Sequence, residues 1–369
     1  MINILHISHY PTLQMGGQQS MFALIKNLDK QNFNSYVLLP SEGELSNVLE
    51  EAGYKCFFLP LCSLKAKNIF RTLSNIIKLH CIIKRNKIDI IHCDSERDAF
   101  ISIFAKKHTN AKLIYHLRLT RKNNLDKAII KNSDHLIGIS EGTRQRVEKE
   151  YQSKLSIIFN GVDVSKFVPV DDEERIKLKQ ELSFPDKDYN ILFVGQIKYG
   201  KGILDLIEAA KILNDKGCNF SVSLVGIFEN NEFETLLKNK IKDYNLTHIF
   251  YFWGQRDNIY RFMQAADVLV LPSHEGVEGM GRVIFEAMAC GIPAVASDIS
   301  GVREAVPKGT GILVPEKNPT ELANALIEIN KTGSKNYVEK CRQNAVTNFD
   351  IKEHAKKVEK VYNHLLNKE

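Results

Sequence analysis

The chain has 369 residues, 44% of them hydrophobic and 25% charged, with a formal net charge of +6. Such a composition is typical of a soluble globular protein, and the length is too great for one core and suits two domains. No apolar run approaches the roughly 18 residues of a membrane-spanning helix, so the sequence predicts no transmembrane segment.

The N-terminus and the cysteines indicate a cytoplasmic protein. The first ten residues, MINILHISHY, lack the basic segment and apolar core of a signal peptide, so we predict a strand there. The seven cysteines are odd in number, form no CxxC pair and lie mostly inside apolar runs. We therefore expect buried free thiols in a reducing compartment, and neither disulfides nor a zinc site.

Positive charge is concentrated in the first half of the chain. The segment Lys65–Lys131 has 16 basic against 5 acidic residues, whereas the part after Ser165 has 27 against 29. Two interpretations remain open, an anionic partner for the first half or a solvated basic face. Aromatic residues are not interleaved with the basic ones in a stacking pattern, so we expect no nucleic-acid partner.

Strand-like apolar runs alternate with helical patterns, such as 18–28 and 68–83, along the whole chain. The strands are predicted at 2–7, 36–39, 88–92, 112–116 and 135–139, then at 190–194, 221–225, 248–253, 268–271 and 294–296. Continuous apolar strands separated by helices favour parallel sheets covered on both faces. The predicted class is α/β with two doubly wound, Rossmann-like domains.

The polar, proline-bearing stretch between Phe167 and Asp186 predicts the domain boundary. We assign residues 1–168 to the first domain and 169–350 to the second. An amphipathic helix in the remaining segment, 351–369, follows after the second domain is complete.

Two glycine-containing loops follow predicted strands and precede helices. Gly16 and Gly17 come after the first strand, where open α/β sheets bind ligands, but they do not form GxGxxG. The run FVGQIKYGKG places Gly195, Lys201 and Gly202 before a helix and predicts a diphosphate cradle. A P-loop is rejected because Gly202 stands where the magnesium-binding Ser or Thr is required.

The strongest signal is the segment 272–297, PSHEGVEGMGRVIFEAMACGIPAVAS. Glu278 and Glu286 have seven residues between them, and Gly279 and Gly281 lie where a loop enters a helix. The first turn of a helix offers unpaired N–H groups to a phosphate, and carboxylates accept hydrogen bonds from hydroxyl groups. A sugar nucleotide offers both chemical groups.

These motifs make the chain resemble glycosyltransferase family 4, the retaining enzymes of the GT-B fold. The resemblance covers nearly the whole chain and rests on Gly16-Gly17, on Asn160-Gly161-Val162-Asp163 with Phe167, on Gly195 with Lys201-Gly202, and above all on the Glu278–Glu286 spacing. It implies two Rossmann-like domains facing across a cleft, with the C-terminal helix returning to the first, acceptor-side domain. The second domain would bind the nucleotide sugar.

The resemblance implies roles for the carboxylates and their neighbours. Glu286 would hold the ribose, Glu278 the donor sugar, and Lys201 would neutralise the diphosphate. Backbone N–H groups at Met280, Gly281 and Arg282 would face the distal phosphate and the sugar.

The remaining implied site residues are spread over both domains. His116, in LIYHLR, matches the family histidine near the transferred sugar. Gly16 and Gly17 would let the first loop approach the phosphate, and the base would lie near Gly254.

One position departs from the family pattern. Gln196 stands beside Gly195 where the family usually has arginine, which offers a permanent charge and a bidentate fork. Losing one donor to a developing anion can cost ~3 kcal/mol. Either Arg282 or Lys198 compensates, or the site is slower; we hypothesise that Arg282 does so.

The implied reaction moves a sugar from a UDP- or GDP-sugar to a saccharide acceptor. The acceptor we expect is a lipid-linked glycan of the cell envelope. No metal and no cofactor are expected, because no aspartate pair follows a strand as a magnesium site. The mechanism commonly ascribed to the family has the departing phosphate take the proton of the acceptor. A mechanism with Glu278 as the nucleophile is the weaker interpretation. A 2-epimerase of related fold and a non-catalytic nucleotide-sugar-binding subunit are the alternatives.

The segment Lys65–Lys87 predicts a basic helix that also carries apolar residues. One interpretation is a surface for anionic lipid, which would make the protein peripheral on the inner face of the cytoplasmic membrane. The other is a helix packed on the sheet with its lysines in water. The two are compatible.

Overall fold

The computed structural model describes residues 1–14 and 16–367. The described strands run in chain order as β1 Ile2–Ile7, β2 Phe33–Leu39, β3 Lys55–Phe58, β4 Ile90–Cys93, β5 Lys112–Leu117, β6 His135–Gly138, β7 Leu155–Ile157, β8 Tyr189–Val194, β9 Phe220–Val225, β10 Phe250–Gly254, β11 Val268–Leu271, β12 Ala294–Ser297 and β13 Gly311–Val314.

The α-helices lie between these strands and after them. They are α1 Gly16–Asn27, α2 Glu44–Glu51, α3 Ile69–Arg85, α4 Glu96–Ala105, α5 Asp126–Asn132, α6 Asp172–Glu181, α7 Ile203–Asp215, α8 Asn231–Asp243, α9 Ile259–Ala265, α10 Arg282–Ala289, α11 Pro319–Thr332, α12 Val338–Phe349 and α13 Ile351–Leu365.

The chain forms two compact units. Unit 1 comprises Met1–Gly161 and the segment from Ile351 onward, and unit 2 comprises Val162–Asp350. Each holds one sheet, in the order β3-β2-β1-β4-β5-β6-β7 in unit 1 and β10-β9-β8-β11-β12-β13 in unit 2. All the strand pairs in both sheets are parallel within the described residues, which confirms the predicted class of two doubly wound α/β domains.

The first unit ends at Gly161, whereas the predicted first domain extends to residue 168. Gly161 packs so closely on the last helix that an added Cβ would lie 2.5 Å from the Cα of Ile351. The next residue, Val162, already belongs to unit 2, where its N–H donates to the carbonyl of Phe349 at 2.7 Å.

The last helix is part of the core of unit 1. Alternation along β1 places Ile2 and Ile4 on one face of the sheet, where they join Ile90 and Ile114 in a buried cluster. The residues that α13 adds to this cluster are Ala355, Val358, Val361 and Tyr362. The predicted return of the C-terminal helix to the first domain is confirmed; residues 368 and 369 of the predicted span lie outside the described residues.

The helix α3 has two apolar faces. Leu79 and Ile83 are buried in a core cluster that includes residues of the sheet. The apolar stripe, defined as Ile69, Phe70, Leu73 and Ile77, is instead exposed, and Phe70 retains 84% of its surface. None of the helices in the described residues combines the length and hydropathy that crossing a bilayer requires.

All seven cysteines are free. The expectation that they are buried holds for Cys93, Cys290 and Cys341 and is wrong for the other four, which are partly exposed. Cys56 illustrates the reason, because it lies on β3, an edge strand whose residues are all partly or fully exposed.

Candidate active site

Each sheet has a point at which the strand order changes direction. In unit 2 this point lies between β8 and β11, and in unit 1 between β1 and β4. Open parallel sheets bind ligands outside the carboxyl ends of the strands at such a point. A ligand site is therefore expected in the loops that follow these four strands.

The loops after β8 and β11 are in direct backbone contact. Gly202 has a φ of +68°, and a Cβ there would lie 1.9 Å from the carbonyl oxygen of Pro272. The N–H of His274 also donates to the carbonyl of Gly200 at 2.9 Å. Only glycine permits both the conformation and this approach, so the two loops are fixed to each other.

Two helices begin at these loops in the same way. The N-cap of α7 is Gly202 and that of α10 is Gly281, whose φ is +72°; no side chain caps either helix. The predicted entry of both loops into helices is confirmed. Their first-turn N–H groups and positive dipole ends form a region suited to an anion.

Lys201 and Glu278 bring opposite charges together at this contact. The Lys201 Nζ is hydrogen-bonded to the Glu278 Oε1, and both side chains are largely buried. The hydroxyl of Ser273 donates to the same carboxylate oxygen at 3.0 Å. Glu275, three residues before Glu278, is exposed and accepts a hydrogen bond from the N–H of Ser300.

Glu286 lies one turn into α10 and is buried. The Arg282 Nε lies 2.7 Å from the Glu286 Oε1, but neither atom has a hydrogen-bond partner among the described residues. Burial raises the pKa of the Glu286 carboxyl, and Arg282 partly opposes that shift. The pair is thus an ion pair with unused hydrogen-bonding capacity on both sides, since the Arg282 Nη1 is also unpartnered.

The other predicted residues of unit 2 lie along the same sheet edge. Gln196 follows β8, and Gly254 ends β10 with a φ of +66°. Met280 is buried beside the N-terminus of α10. The structure thus brings Lys201 into contact with Glu278, and Arg282 into contact with Glu286. Neither Gln196 nor Gly254 has a hydrogen bond to these four.

Three histidines continue the buried face of the sheet in unit 1. On β1, β4 and β5, His6, His92 and His116 come two residues after Ile4, Ile90 and Ile114, respectively. Each histidine is therefore on the same face of the sheet as that isoleucine and closer to the carboxyl end of its strand. Gly16 and Gly17, the first residues of α1, have open space where a Cβ would project. All five lie at or beyond the carboxyl ends of the central strands.

His116 belongs to a buried hydrogen-bonded series. Its Nδ1 lies 3.0 Å from the Nε2 of His92, and the Nδ1 of His92 lies 2.6 Å from the hydroxyl of Tyr362. The Nε2 of His116 has no hydrogen-bond partner among the described residues. Such an orphaned buried group costs stability, so its retention calls for an explanation.

Asp94 and Arg118 border this series. The Arg118 Nη2 donates to the Asp94 Oδ2 at 3.1 Å, and its Nη1 donates to the Asn160 Oδ1 at 2.6 Å. His92, Asp94 and His116 also place three potential metal-ligand atoms within 4.8 Å of one another. The histidine–histidine hydrogen bond and the arginine–aspartate ion pair account for this arrangement, so we interpret it as a hydrogen-bonded network.

Burial disfavours the charged form of the buried histidines of unit 1. Burial lowers the pKa of His6 and of His92 to about 3 and that of His354 to about 4. The pKa of His116 is lowered well below its ordinary value, first by burial and then by Arg118.

Sequence reasoning found His116 but missed His92, Tyr362 and Arg118. A signal for His92 was present, since HCDS and YHLR each place a histidine at the carboxyl end of an apolar strand. No spacing rule connects Tyr362 to either histidine, because 270 residues separate it from His92.

Two family models match the chain. The family model described as Glycosyltransferase Family 4 matches residues 15–166, and the model described as Glycosyl transferases group 1 matches residues 174–347. The chain is a family 4 glycosyltransferase.

Two relatives match most of its length. The glycosyltransferase is 26% identical to the UDP-Gal:alpha-D-GlcNAc-diphosphoundecaprenol alpha-1,3-galactosyltransferase of Escherichia coli, over 98% of this chain and 96% of that protein. It is 25% identical to the N,N'-diacetylbacillosaminyl-diphospho-undecaprenol alpha-1,3-N-acetylgalactosaminyltransferase of Campylobacter jejuni, over 82% and 83% of the two chains.

A solved structure has the same fold. The crystal structure of a glycosyltransferase from Rickettsia africae superposes with a TM-score of 0.87 at 24% identity, covering 100% of this chain and 99% of that one. The fold of the glycosyltransferase is thus GT-B, as the sequence motifs implied.

The buried neutral histidines make the stability of the glycosyltransferase sensitive to acid. In the unfolded chain they bind protons near the ordinary pKa of 6.5, whereas in the folded protein they do so only near 3 to 4. As the pH falls below 6.5 the unfolded state takes up more protons. Each of these histidines then lowers the free energy of unfolding by up to about 1.4 kcal/mol per pH unit.

Urea unfolding at several pH values between about 6.5 and 5 measures this slope, above the range in which most carboxylates titrate. His92→Gln is expected to flatten it, and the same change at the exposed His248 is the control. A free energy of unfolding that is constant over this range would contradict the prediction.

Proposed function

We propose that this glycosyltransferase transfers a sugar from a UDP- or GDP-sugar to a lipid-linked saccharide acceptor, with retention of the anomeric configuration, in envelope glycan biosynthesis. The observation that carries the proposal is the Lys201–Glu278 pair beside two uncapped helix N-termini. Cation, N–H groups and carboxylate match the diphosphate and the hydroxyl groups of such a donor. The relatives' names, which specify diphospho-undecaprenol acceptors, support the acceptor class.

In this proposal the two ends of the donor are held by different groups. The diphosphate accepts hydrogen bonds from the backbone at Met280, Gly281 and Arg282 and from Lys201. Glu278 is then released from Lys201 to accept hydrogen bonds from the sugar. Glu286 accepts from the ribose, and its buried carboxylate is held in place by the ion pair with Arg282.

The proposed reaction needs charge stabilisation more than a protein nucleophile. The bond between the anomeric carbon and the phosphate oxygen breaks, and negative charge accumulates on the diphosphate. The acceptor oxygen bonds to the same face of the anomeric carbon, and its proton passes to the departing phosphate. Lys201 and the helix N-termini stabilise that phosphate in the transition state.

The experiment that tests the function is a thermal-shift panel of nucleotides and nucleotide sugars. We expect UDP or GDP forms to raise the melting temperature, since a ligand at 100 times its Kd adds ~2.7 kcal/mol of stability. A flat response to UDP, GDP and ADP forms alike would overturn the proposal.

Turnover assays separate the alternatives. Transfer predicts that nucleotide is released in proportion to added lipid-linked acceptor, and the product's anomeric configuration is read by NMR. A 2-epimerase would convert the donor without acceptor, and a non-catalytic subunit would give a thermal shift without turnover. The relatives reported above are named as transferases, which favours neither alternative.

Arg282 is proposed to replace the arginine that the family usually has at Gln196. Its Nε is ion-paired to Glu286, but its Nη1 has no hydrogen-bond partner among the described residues and lies in the first turn of α10. Arg282→Ala is therefore expected to lower kcat roughly 100-fold, the effect of losing one donor to a developing anion. Arg261→Ala, which removes a partly exposed arginine of α9 in the same unit, is the control. Unchanged turnover in Arg282→Ala would refute this role.

We also propose that α3 docks unit 1 on anionic membrane, where a lipid-linked acceptor resides. At 3.6 residues per turn the apolar stripe of α3 occupies an arc of about 100°. The exposed basic residues beside it are Lys65, Lys67, Arg71 and Lys78. An exposed apolar stripe flanked by cations is the pattern of a helix that lies in the interface of an anionic bilayer.

Co-sedimentation with vesicles tests this surface. Burying Phe70 and Leu73 contributes about 1.5–3 kcal/mol each, so replacing both by serine is expected to weaken binding at least about tenfold. Ile176→Ser is the matched control, because Ile176 is 59% exposed but lies on the acidic helix α6. Equal sedimentation with phosphatidylglycerol-containing and pure phosphatidylcholine vesicles would contradict an anionic partner.

A further inference from the structure

A series of buried hydrogen bonds connects the last helix to His116. It runs from the Tyr362 hydroxyl on α13 to His92 on β4 and from there to His116 on β5. All three side chains are at least 97% buried. The imidazoles of His92 and His116 each have two ring nitrogens. Which nitrogen carries the proton decides whether His116 offers a hydrogen-bond donor or an acceptor to a ligand.

The hydroxyl of Tyr362 fixes the direction of the series. A buried hydroxyl must donate its hydrogen, and the described residues give that of Tyr362 one partner, the Nδ1 of His92 at 2.6 Å. The His92 Nδ1 is then an acceptor, so the proton of this neutral imidazole is on Nε2. That Nε2–H donates to the Nδ1 of His116.

The proton of His116 is consequently on its Nε2. In the opposite arrangement each imidazole would donate from Nδ1, and the Tyr362 hydroxyl would be left with a buried hydrogen and no acceptor. Leaving a buried donor without an acceptor is unfavourable, so the first arrangement is preferred.

We propose that Tyr362 and His92 are positioning residues that hold His116 as its neutral Nε2–H tautomer, so that this N–H donates to an oxygen atom of the bound substrate. The inference rests on the proposed function, in which His116 lies near the transferred sugar. It explains the unpartnered His116 Nε2 as a donor reserved for a ligand. It also makes His116 a hydrogen-bond donor and not a general base.

Burial and one charged neighbour keep His116 neutral. Burial is the larger cause of its lowered pKa, and Arg118, which is ion-paired to Asp94 at 3.1 Å, also disfavours a proton on His116. Asp94 Oδ1 is 3.7 Å from the His116 Nδ1, too far for a hydrogen bond that would compete with His92.

Nitrogen NMR of the ¹⁵N-histidine-labelled enzyme tests the tautomer directly. His116→Gln identifies the His116 signals by their loss. We expect wild-type His116 to be neutral with the proton on Nε2, and the Tyr362→Phe enzyme to show a mixture of tautomers. A wild-type His116 that is protonated on Nδ1, or on both nitrogens, would overturn the proposal.

Kinetics test whether the tautomer matters for transfer. Tyr362→Phe keeps the buried ring and removes the hydroxyl, and we expect kcat to fall about tenfold at an unchanged donor KM, as for other partners that orient a histidine. Tyr54→Phe, which removes a hydroxyl that donates to the Ile25 carbonyl in the same unit, is the control and should behave as wild type. A wild-type kcat in Tyr362→Phe would refute a positioning role.

Two substitutions of His92 distinguish its role as a hydrogen-bond donor to His116 from a role in packing. The amide of His92→Gln can replace the Nε2–H donor, whereas His92→Phe cannot, so the Gln variant should retain several-fold more activity. Equal activity in the two variants would contradict the proposal. If the wild type transfers no sugar to any acceptor, the proposed function fails, while the NMR experiment still decides the tautomer.

Discussion

The backbone contact between Gly202 and Pro272 is the constraint on which the charged groups of unit 2 depend. Because no side chain can fit between these loops, their glycines and carbonyls meet directly, and the residues on either side are held in fixed register. Lys201 immediately precedes one contact residue, and Glu278 follows the other within the same loop. Their ion pair is therefore a consequence of the backbone arrangement and not its cause.

Unit 1 buries polar imidazole groups on one face of its parallel sheet. Isolated buried imidazoles would be costly, but a series closed by the Tyr362 hydroxyl satisfies all but one of its nitrogen atoms. The helix that supplies Tyr362 also supplies Val358 and Ala355 to the apolar cluster. The return of the chain to its first unit thus completes both the core and the polar series.

The sequence predicted the central strands of both sheets well, because continuous apolar runs buried on both faces are a strong signal. It missed β3, β7 and β13, and each of these is at the edge of its sheet. Edge strands are short and partly exposed, so their composition resembles that of loops. The residues KCFF of β3 have no fully buried member.

The candidate site could be predicted where the residues that carry its chemistry are close together in the sequence. Glu278, Lys201 and the two helix starts lie in contiguous motifs, so the motifs located them. The spacing of Arg282 and Glu286 is that of an i,i+4 ion pair on a helix, so the sequence contained a signal for this pair. The pairing of Lys201 with Glu278 joins two loops that are 77 residues apart, and spacing does not encode it. The exposed stripe on α3 is a similar case, because periodicity identifies apolar residues without saying which of two faces meets the core.

The proposed tautomer of His116 bears on the choice of mechanism. A retaining transfer through a carboxylate nucleophile would need a base to deprotonate the acceptor in its second step. A neutral His116 whose single proton is on Nε2, the nitrogen that faces the ligand, cannot accept a proton there. It is therefore unsuited to act as that base. In same-face attack the departing phosphate takes the acceptor proton, and the protein has only to donate hydrogen bonds. A neutral donor at His116 is consistent with that simpler demand on the protein, and so is a Glu278 that only accepts hydrogen bonds from the sugar.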